Sequence, residues 1–336
     1  MKRTVSFSKN SRNIFFHILT NCNLKCKHCY INKEQHGDTL LPLSVMETWL
    51  RSLCKQGDEA NIIFLGGEPT MHPELPQIVI SAKRMGFDSI TIDTNGYLFH
   101  NILSKITPEE VDFISFSLDG PTSEKNDCLR GKGSFETCIA GIRQANKKGF
   151  NTSLIYTVSR QNIFDLEAMA ILLKDLPIDR FFIQVIGLRG RSGTRRTETG
   201  RNATLQVSRE DWQRVVPPVA EQVAEYGITV TYPKVYLKQN EDFECAGLVA
   251  DNYFIFPNGR VYRCPLCEDF PVHGREFQGD TLSKTEPINE EDLFHLNIPE
   301  GCVMNKIIQP ENIRYHHDGT PMYKIACCLL KEEISA

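Results

Sequence analysis

The sequence predicts an α/β protein: an incomplete parallel barrel of six strand–helix units, a partial (β/α)6 arrangement, followed by a small cysteine-rich domain. Three observations carry this. Apolar runs of strand length alternate with segments of helical period through residues 1–190. The residues able to do chemistry fall at the C-terminal ends of those strands, where parallel barrels place their sites. Half of the twelve cysteines, Cys245, Cys264, Cys267, Cys302, Cys327 and Cys328, fall late in the chain, where helical periodicity is weak.

Residues 14–20 form the first strand. Ser44-Val45-Met46-Glu47 reads as a capping box, and Met46, Trp49, Leu50 and Leu53 follow at helical spacing. Residues 61–65 are a second, buried strand ending in Gly66-Gly67. Pro73 suits the start of a helix that Gly86 closes. Residues 89–93 form the third strand, ending in Thr94-Asn95-Gly96, and residues 113–118 the fourth, ending in Asp119-Gly120. The helix over 134–148 shows Phe135, Cys138, Ile139, Ile142 and Ala145 on one face. Residues 152–158 and 180–186 are the fifth and sixth strands, with a helix near 164–173 between them. Residues 188–201 read as a loop. Ser208 caps a further helix, which Pro217-Pro218 is expected to interrupt or kink. We divide the chain into a barrel, 1–230, and a second domain, 231–336, with too few apolar runs for a large core and metal as its stabiliser.

The composition narrows the function classes. The chain has 336 residues, 41% hydrophobic and 24% charged, within the usual range for a globular protein. A net charge of −4 gives no general attraction to nucleic acid or anionic membrane. No apolar run reaches membrane-spanning length, and the polar start shows no signal peptide. Twelve cysteines without secretion point to metal ligation in a reducing, oxygen-poor cytoplasm rather than to disulfides.

The most informative stretch is Cys22-Asn23-Leu24-Lys25-Cys26-Lys27-His28-Cys29-Tyr30. Three cysteines so spaced place three thiolates on one face of a cubic iron–sulfur cluster and leave the fourth iron open. A zinc site would want paired Cys-x2-Cys and a fourth ligand, for which His28 and His36 are the nearest candidates. Cys-x3-Cys-x2-Cys followed by the aromatic Tyr30 resembles the signature of the radical S-adenosylmethionine (SAM) superfamily. Gly66-Gly67-Glu68-Pro69 resembles that family's GGEP motif, and Thr94-Asn95-Gly96, Ser115 to Gly120 and Leu129-Arg130-Gly131 resemble further family segments.

The resemblance implies that Cys22, Cys26 and Cys29 ligate a [4Fe-4S] cluster whose open iron chelates SAM. One-electron cleavage of SAM would give a 5′-deoxyadenosyl radical that takes a hydrogen atom from the substrate. It implies cofactor contacts for Tyr30, Gly66, Gly67, Glu68, Pro69, Asn95, Ser117 and Asp119. For Arg130, a pairing with the cofactor carboxylate stands beside a surface salt bridge. After the sixth strand, Gly187 and Arg189, with Arg191, Arg195, Arg196 and Arg201, read either as contacts to an anionic group or as a solvated loop. Cys128, just ahead of a polar loop, is a further candidate at the active site, whereas Cys54 and Cys138 lie on apolar helix faces and read as core.

Cys245, Gly259 and Cys264 are spaced as in the opening half of the SPASM/twitch pattern. Pro257-Asn258-Gly259 makes a hairpin that returns Cys264 toward Cys245. The compact second half of a full SPASM domain is missing, which favours the shorter twitch type with one auxiliary [4Fe-4S] or [2Fe-2S] cluster. Cys245 and Cys264 are its expected ligands, completed from Cys267, Cys302, Cys327 and Cys328; of the adjacent Cys327 and Cys328, one is expected to ligate. The resemblance also implies a flavodoxin- or ferredoxin-type electron donor. With only about 13 residues ahead of the first strand, where peptide-modifying relatives carry a leader-binding domain of about 80, a small-molecule substrate in natural-product or cofactor biosynthesis is the expectation, and a peptide the alternative. A non-catalytic iron–sulfur electron carrier is the contrasting class; the GGEP-like segment argues against it.

Overall fold

A computed structural model describes residues 1–7, 10–54, 59–194, 205–286 and 288–335. Every apolar run read above as a strand is one. The strands are β1 (Lys2–Val5), β2 (Ser11–His17), β3 (Glu59–Leu65), β4 (Ser89–Thr94), β5 (Phe113–Ser117), β6 (Thr152–Val158), β7 (Arg180–Val185) and β8 (Thr229–Pro233). After them come β9 (Tyr236–Leu237), β10 (Asp251–Ile255), β11 (Arg260–Tyr262), β12 (Arg275–Gln278), β13 (Thr281–Lys284), β14 (Lys324–Ile325) and β15 (Lys331–Ile334).

The six expected strands are β2 to β7, parallel and adjacent in sequence order. The parallel run is longer than expected: β8 joins beyond β7, and β10 pairs in parallel with β2 from Asp251↔Arg12 to Ile255↔Phe16. Antiparallel strands extend both edges, β15 and β1 beyond β8, and β11, β12 and β13 beyond β10. The cysteine-rich part of the chain therefore begins as a direct continuation of the barrel wall.

One face of the parallel strands is apolar and buried: Ile14 and Phe16, Ile62 and Phe64, Ile90 and Ile92, Ile114 and Phe116, Leu154 and Tyr156, Phe181 and Ile183. Trp49 and Leu50, Ile78 and Val79, Ile142, Met169 and Val216, from the helices between and after the strands, share this core. The opposite face is partly accessible and carries Asp93, Ser117, Thr157 and Gln184 toward the strand ends. The strand period of two separates these sets, so one wall serves both stability and chemistry.

Two local expectations are corrected. The first long helix, Leu43–Leu53, begins before the proposed box: Pro42 takes the N-cap position, and Glu74 Oε2 accepts from Leu43 N–H at 3.1 Å. Glu47 instead accepts from Ser81 Oγ at 2.5 Å. Tertiary partners replaced the local cap. The helix Arg209–Ala224 runs on through Pro217 and Pro218. Its buried face, Trp212, Val215, Val216, Val219, Ala220 and Val223, offsets the lost hydrogen bonds. The Ser208 cap, the Asn258-Gly259 hairpin and the Gly86 helix stop are as expected.

Candidate active site

Leu19-Thr20-Asn21 leads from β2 into the cysteine loop, and the segment after β3 holds it down. Gly67 N–H donates to Leu19 O and Glu68 N–H to Asn21 O, both at 3.0 Å. A Cβ on Gly66 would lie 2.6 Å from Leu19 O, and one on Gly67 2.2 Å from Asn21 O. The close approach these glycines permit is to the backbone that enters Cys22.

Glu68 is buried. Its Oε1 accepts from Thr70 N–H (3.1 Å), Thr70 Oγ1 (2.5 Å) and Thr94 Oγ1 (2.8 Å), and its Oε2 from Asn95 N–H (2.7 Å). Burial pushes its pKa up, and these donors oppose the shift. The carboxylate ties the turn that opens with Pro69 to the end of β4 and so places Asn95. Asn95 Nδ2 donates to Asn23 Oδ1 at 2.8 Å and lies 3.8 Å from Cys22 Sγ, which also receives Leu24 N–H at 3.3 Å.

The middle of the loop is held by charge. His28 Nε2 lies 3.0 Å and Arg130 Nε 2.5 Å from Asp119 Oδ2, and Asp119 Oδ1 accepts from Thr157 N–H at 2.7 Å. Burial alone would raise the Asp119 pKa, but Arg130 and His28 outweigh it and hold the carboxyl well below the usual carboxylate range. Cys26 Sγ lies 3.8 Å from Arg130 O, and Lys27 N–H donates to Leu129 O at 2.9 Å.

The loop after β7 closes the remaining side. Gly190 has φ +53°, and a Cβ there would lie 2.6 Å from Cys29 O and 2.5 Å from Tyr30 O. Arg191 N–H donates to Cys29 O at 2.9 Å. The Arg189 guanidinium stacks over Tyr30 at 4.8 Å while bonding Pro265 O and the Glu268 carboxylate. Tyr30 OH donates to His17 Nε2 at 2.7 Å, and His17 Nδ1–H donates to Ile255 O at 3.0 Å. Burial lowers the His17 pKa to about 3, so this ring is neutral.

A second cysteine site lies beyond Pro265. Cys245, Cys264, Cys302, Cys327 and Cys328 line one cavity, and the Cys267 thiol hydrogen-bonds with that of Cys264. Glu290 is buried beneath the turn, its carboxylate accepting from Arg263 N–H (2.6 Å) and Cys264 N–H (3.0 Å); burial raises its pKa to about 7. All twelve cysteines are free thiols. Among the described residues no three His, Cys, Asp or Glu side chains close on a point as they would around a single metal ion. The late thiols line one cavity, and backbone N–H groups donate to the Cys22 and Cys302 sulfurs, a donor set that suits thiolate ligands of a cluster.

A family model described as the Radical SAM superfamily matches residues 17–173, the stretch that contains the cysteine loop and the strand-end motifs. Residues 17–173 form a radical SAM domain. That family implies a [4Fe-4S] cluster and SAM for the domain. The chain is 32% identical over 191 residues to the Fe-coproporphyrin III synthase of Methanosarcina barkeri, a match covering 56% of this chain and 47% of that protein. It is 26% identical over 283 residues to the mycofactocin maturase MftC of Mycobacterium ulcerans, covering 78% of this chain and 69% of the other. The chain thus spans less than half of the first relative's length. Its fold is similar to that of Streptococcus suis SuiB bound to S-adenosylmethionine, with TM-score 0.64 at 15% identity, covering 89% of this chain and 74% of that one.

Within this radical SAM fold, the residues taken from the family motifs gather around the cysteine loop, but several face protein partners. Asp119 and Arg130, read as cofactor contacts, pair with each other in a buried site, which replaces the surface salt bridge offered for Arg130. Arg189 pairs with Glu268. Ser117 is half-buried at the end of β5, with Cys138 Sγ 3.6 Å from its carbonyl. Gly187 O accepts from Ser192 Oγ at 3.0 Å. Cys128 is exposed, its Sγ 3.3 Å from Lys27 Nζ. Arg195, Arg196 and Arg201 lie outside the described residues. Sequence reasoning missed Asp93, His17, Phe256, Glu268 and Glu290, and weighed His28 only as a zinc ligand, whereas it pairs with Asp119. A polar residue at the end of an apolar strand was the available signal for His17 and Asp93.

Proposed function

We propose that this radical SAM enzyme holds its SAM-binding cluster on Cys22, Cys26 and Cys29, holds one auxiliary iron–sulfur cluster in a twitch-type site formed by the late cysteines, and modifies a peptide. The observation that carries the reading is the convergence on one cavity of cysteines as far apart in sequence as Cys245 and Cys328. The peptide rests on the similarity to MftC over 78% of the chain and on the likeness in fold to SuiB, which has been solved with a precursor peptide.

When bound, the cluster and SAM supply a one-electron cleavage that ends in removal of a hydrogen atom from the substrate. The chain's part is to position and to exclude. Glu68 and Asn95 set the Cys22 end of the loop, Asp119 and Arg130 its middle through His28, and Gly190 and Arg191 its Cys29 end. Asp93 and Ser117 are left facing the accessible side of the barrel, where cofactor and substrate would lie. A flavodoxin or ferredoxin would deliver the electron, and a reducing cytoplasm suits the free thiols. The second reading, a small molecule of cofactor biosynthesis, is favoured by the 32% identity to a synthase of Fe-coproporphyrin III.

The test is anaerobic. Reduced, iron-loaded protein given SAM forms 5′-deoxyadenosine; none, even slowly, overturns the assignment. Peptides encoded beside this chain's gene and an iron porphyrin are then offered in parallel. The true substrate class is the one that accelerates 5′-deoxyadenosine formation and changes mass in step with it.

A further inference from the structure

Tyr30 directly follows Cys29, and Glu268 directly follows Cys267. Two independent chains of contact run between these residues. The shorter passes through Arg189, whose guanidinium stacks over Tyr30 at 4.8 Å and bonds both Glu268 and Pro265 O, the carbonyl between Cys264 and Leu266. The longer is aromatic. Tyr30 OH bonds His17 Nε2 at 2.7 Å; His17 stacks on Phe256 at 4.2 Å; Phe256 stacks on His36 at 3.8 Å; and His36 Nε2–H donates to Glu268 O at 2.9 Å. Asp269 adds a clamp, its Oδ1 accepting from Asn32 Nδ2 at 2.9 Å and Gly190 N–H at 3.2 Å. The contacts form a closed ring with one cysteine site at each end.

We propose that the Arg189–Glu268 pair, braced by the His17–Phe256–His36 stack, is a bridge that couples the two cysteine sites electrostatically, so that each cluster's reduction potential is set partly by this shared pair. The inference rests on the auxiliary-cluster reading above. A cation beside a cluster favours its reduced, more negative state, and a carboxylate opposes it. Arg189 reaches both sites from a half-buried position, its side chain 19% exposed, so solvent screens its charge only in part. Glu268 is its buried counter-ion. A purely mechanical strut would shift loading and stability, but it would not shift potentials in opposite directions when the two charges are removed in turn.

The experiment uses the full chain with clusters loaded, and its readout is the midpoint of each cluster in a titration followed by electron paramagnetic resonance. The Cys22→Ala, Cys26→Ala, Cys29→Ala triple variant isolates the second cluster; essentially no iron there refutes the auxiliary-cluster reading itself. With iron present, Arg189→Gln moves the midpoint down and Glu268→Gln moves it up, each changing the reduced-to-oxidised ratio at fixed potential several-fold. The double variant returns near the parent, and Arg189→Lys stays near it. In the chain with all cysteines, the SAM-binding cluster shifts with the same signs. Unmoved midpoints, shifts of one sign for both variants, or a shift at only one cluster overturn the bridge. Should Arg189→Gln fail to load iron, the direction of the Glu268→Gln shift at both clusters decides alone.

Discussion

His28 and Asp119 meet with Nε2 and Oδ2 3.0 Å apart, and that contact joins the middle of the cysteine loop to the end of β5. Arg130 pairs with the same oxygen, so a single buried carboxylate serves two partners, one of them a guanidinium. Asp119→Asn would leave Arg130 buried and uncompensated, a loss of about 3–5 kcal/mol for a buried pair. The expected outcome is a lower denaturant midpoint in the iron-free protein and less iron retained by the loop on reconstitution. The pH sign follows from a folded pKa below the unfolded one. Asp119 stabilises the fold above the ordinary carboxylate pKa of about 4 and loses that contribution as pH falls below it. Wild type should therefore lose more Tm than Asp119→Asn between pH 5 and pH 3, with both measured by differential scanning calorimetry over that range (roughly one unit either side of the reference pKa).

Glu68 links two strand ends through four hydrogen bonds and has no side-chain cation partner among the described residues. Glu68→Ala leaves Thr70, Thr94 and the Asn95 amide without an acceptor, at about 2–4 kcal/mol for a buried network. Glu68→Gln keeps the shape and is expected to cost about half as much. SAM affinity, measured on the loaded enzyme, should fall in the same order, because Asn95 is placed by this carboxylate.

Much of this was legible in the sequence, for identifiable reasons. β3 to β7 show as apolar runs because their helix-facing residues must be apolar wherever they pair. β2 begins three residues before its apolar run, at Ser11, Arg12 and Asn13, which look like loop in the sequence. In the structure Asn13 bonds Asn252 at 3.1 Å and Asn61 at 3.2 Å, and Arg12 pairs with Asp251 at 2.8 Å. Those partners come from other strands, and no local pattern announces them. The pairing of β10 with β2 was invisible for the same reason. In the site, motif spacing located the cysteine loop and the strand ends. It did not reveal that Asp119, Arg130 and Arg189 face other protein groups, because a charge in a sequence does not name its partner.

Asp93 offers a pH test of the opposite sign. Its carboxyl sits on the accessible face of β4, where burial raises its pKa to about 7 against the Ser115 hydroxyl that opposes the rise. A raised carboxyl pKa means that the folded state holds the proton longer than the unfolded state. Stability should therefore fall as pH rises from about 4 to about 7. Asp93→Asn removes that penalty. Above pH 7 it should be more stable than wild type by about 2 kcal/mol, a three-unit shift discounted for the water that reaches the group. Equal stabilities at pH 8, by urea unfolding of the iron-free protein, would show that the carboxylate is already solvated.

Gly187 and Gly190 occupy the same loop and read alike in the sequence, yet only Gly190 should be intolerant of a side chain. A Cβ at Gly187 finds its nearest neighbour at 3.4 Å in the flexible end of Ile308. At Gly190 the φ of +53° is strained for any side chain, and the Cβ meets two backbone carbonyls, Tyr30 O at 2.5 Å and Cys29 O at 2.6 Å. Relief requires the cysteine loop or the β7 loop to move, at about 1–3 kcal/mol for the backbone strain alone. Gly187→Ala is expected to load iron as wild type does. Gly190→Ala should lose iron from the loop while the second cysteine site keeps its own, so its iron content should approach that of the Cys22→Ala, Cys26→Ala, Cys29→Ala variant. Full loading of Gly190→Ala would mean that Cys29 does not depend on the β7 loop for its position.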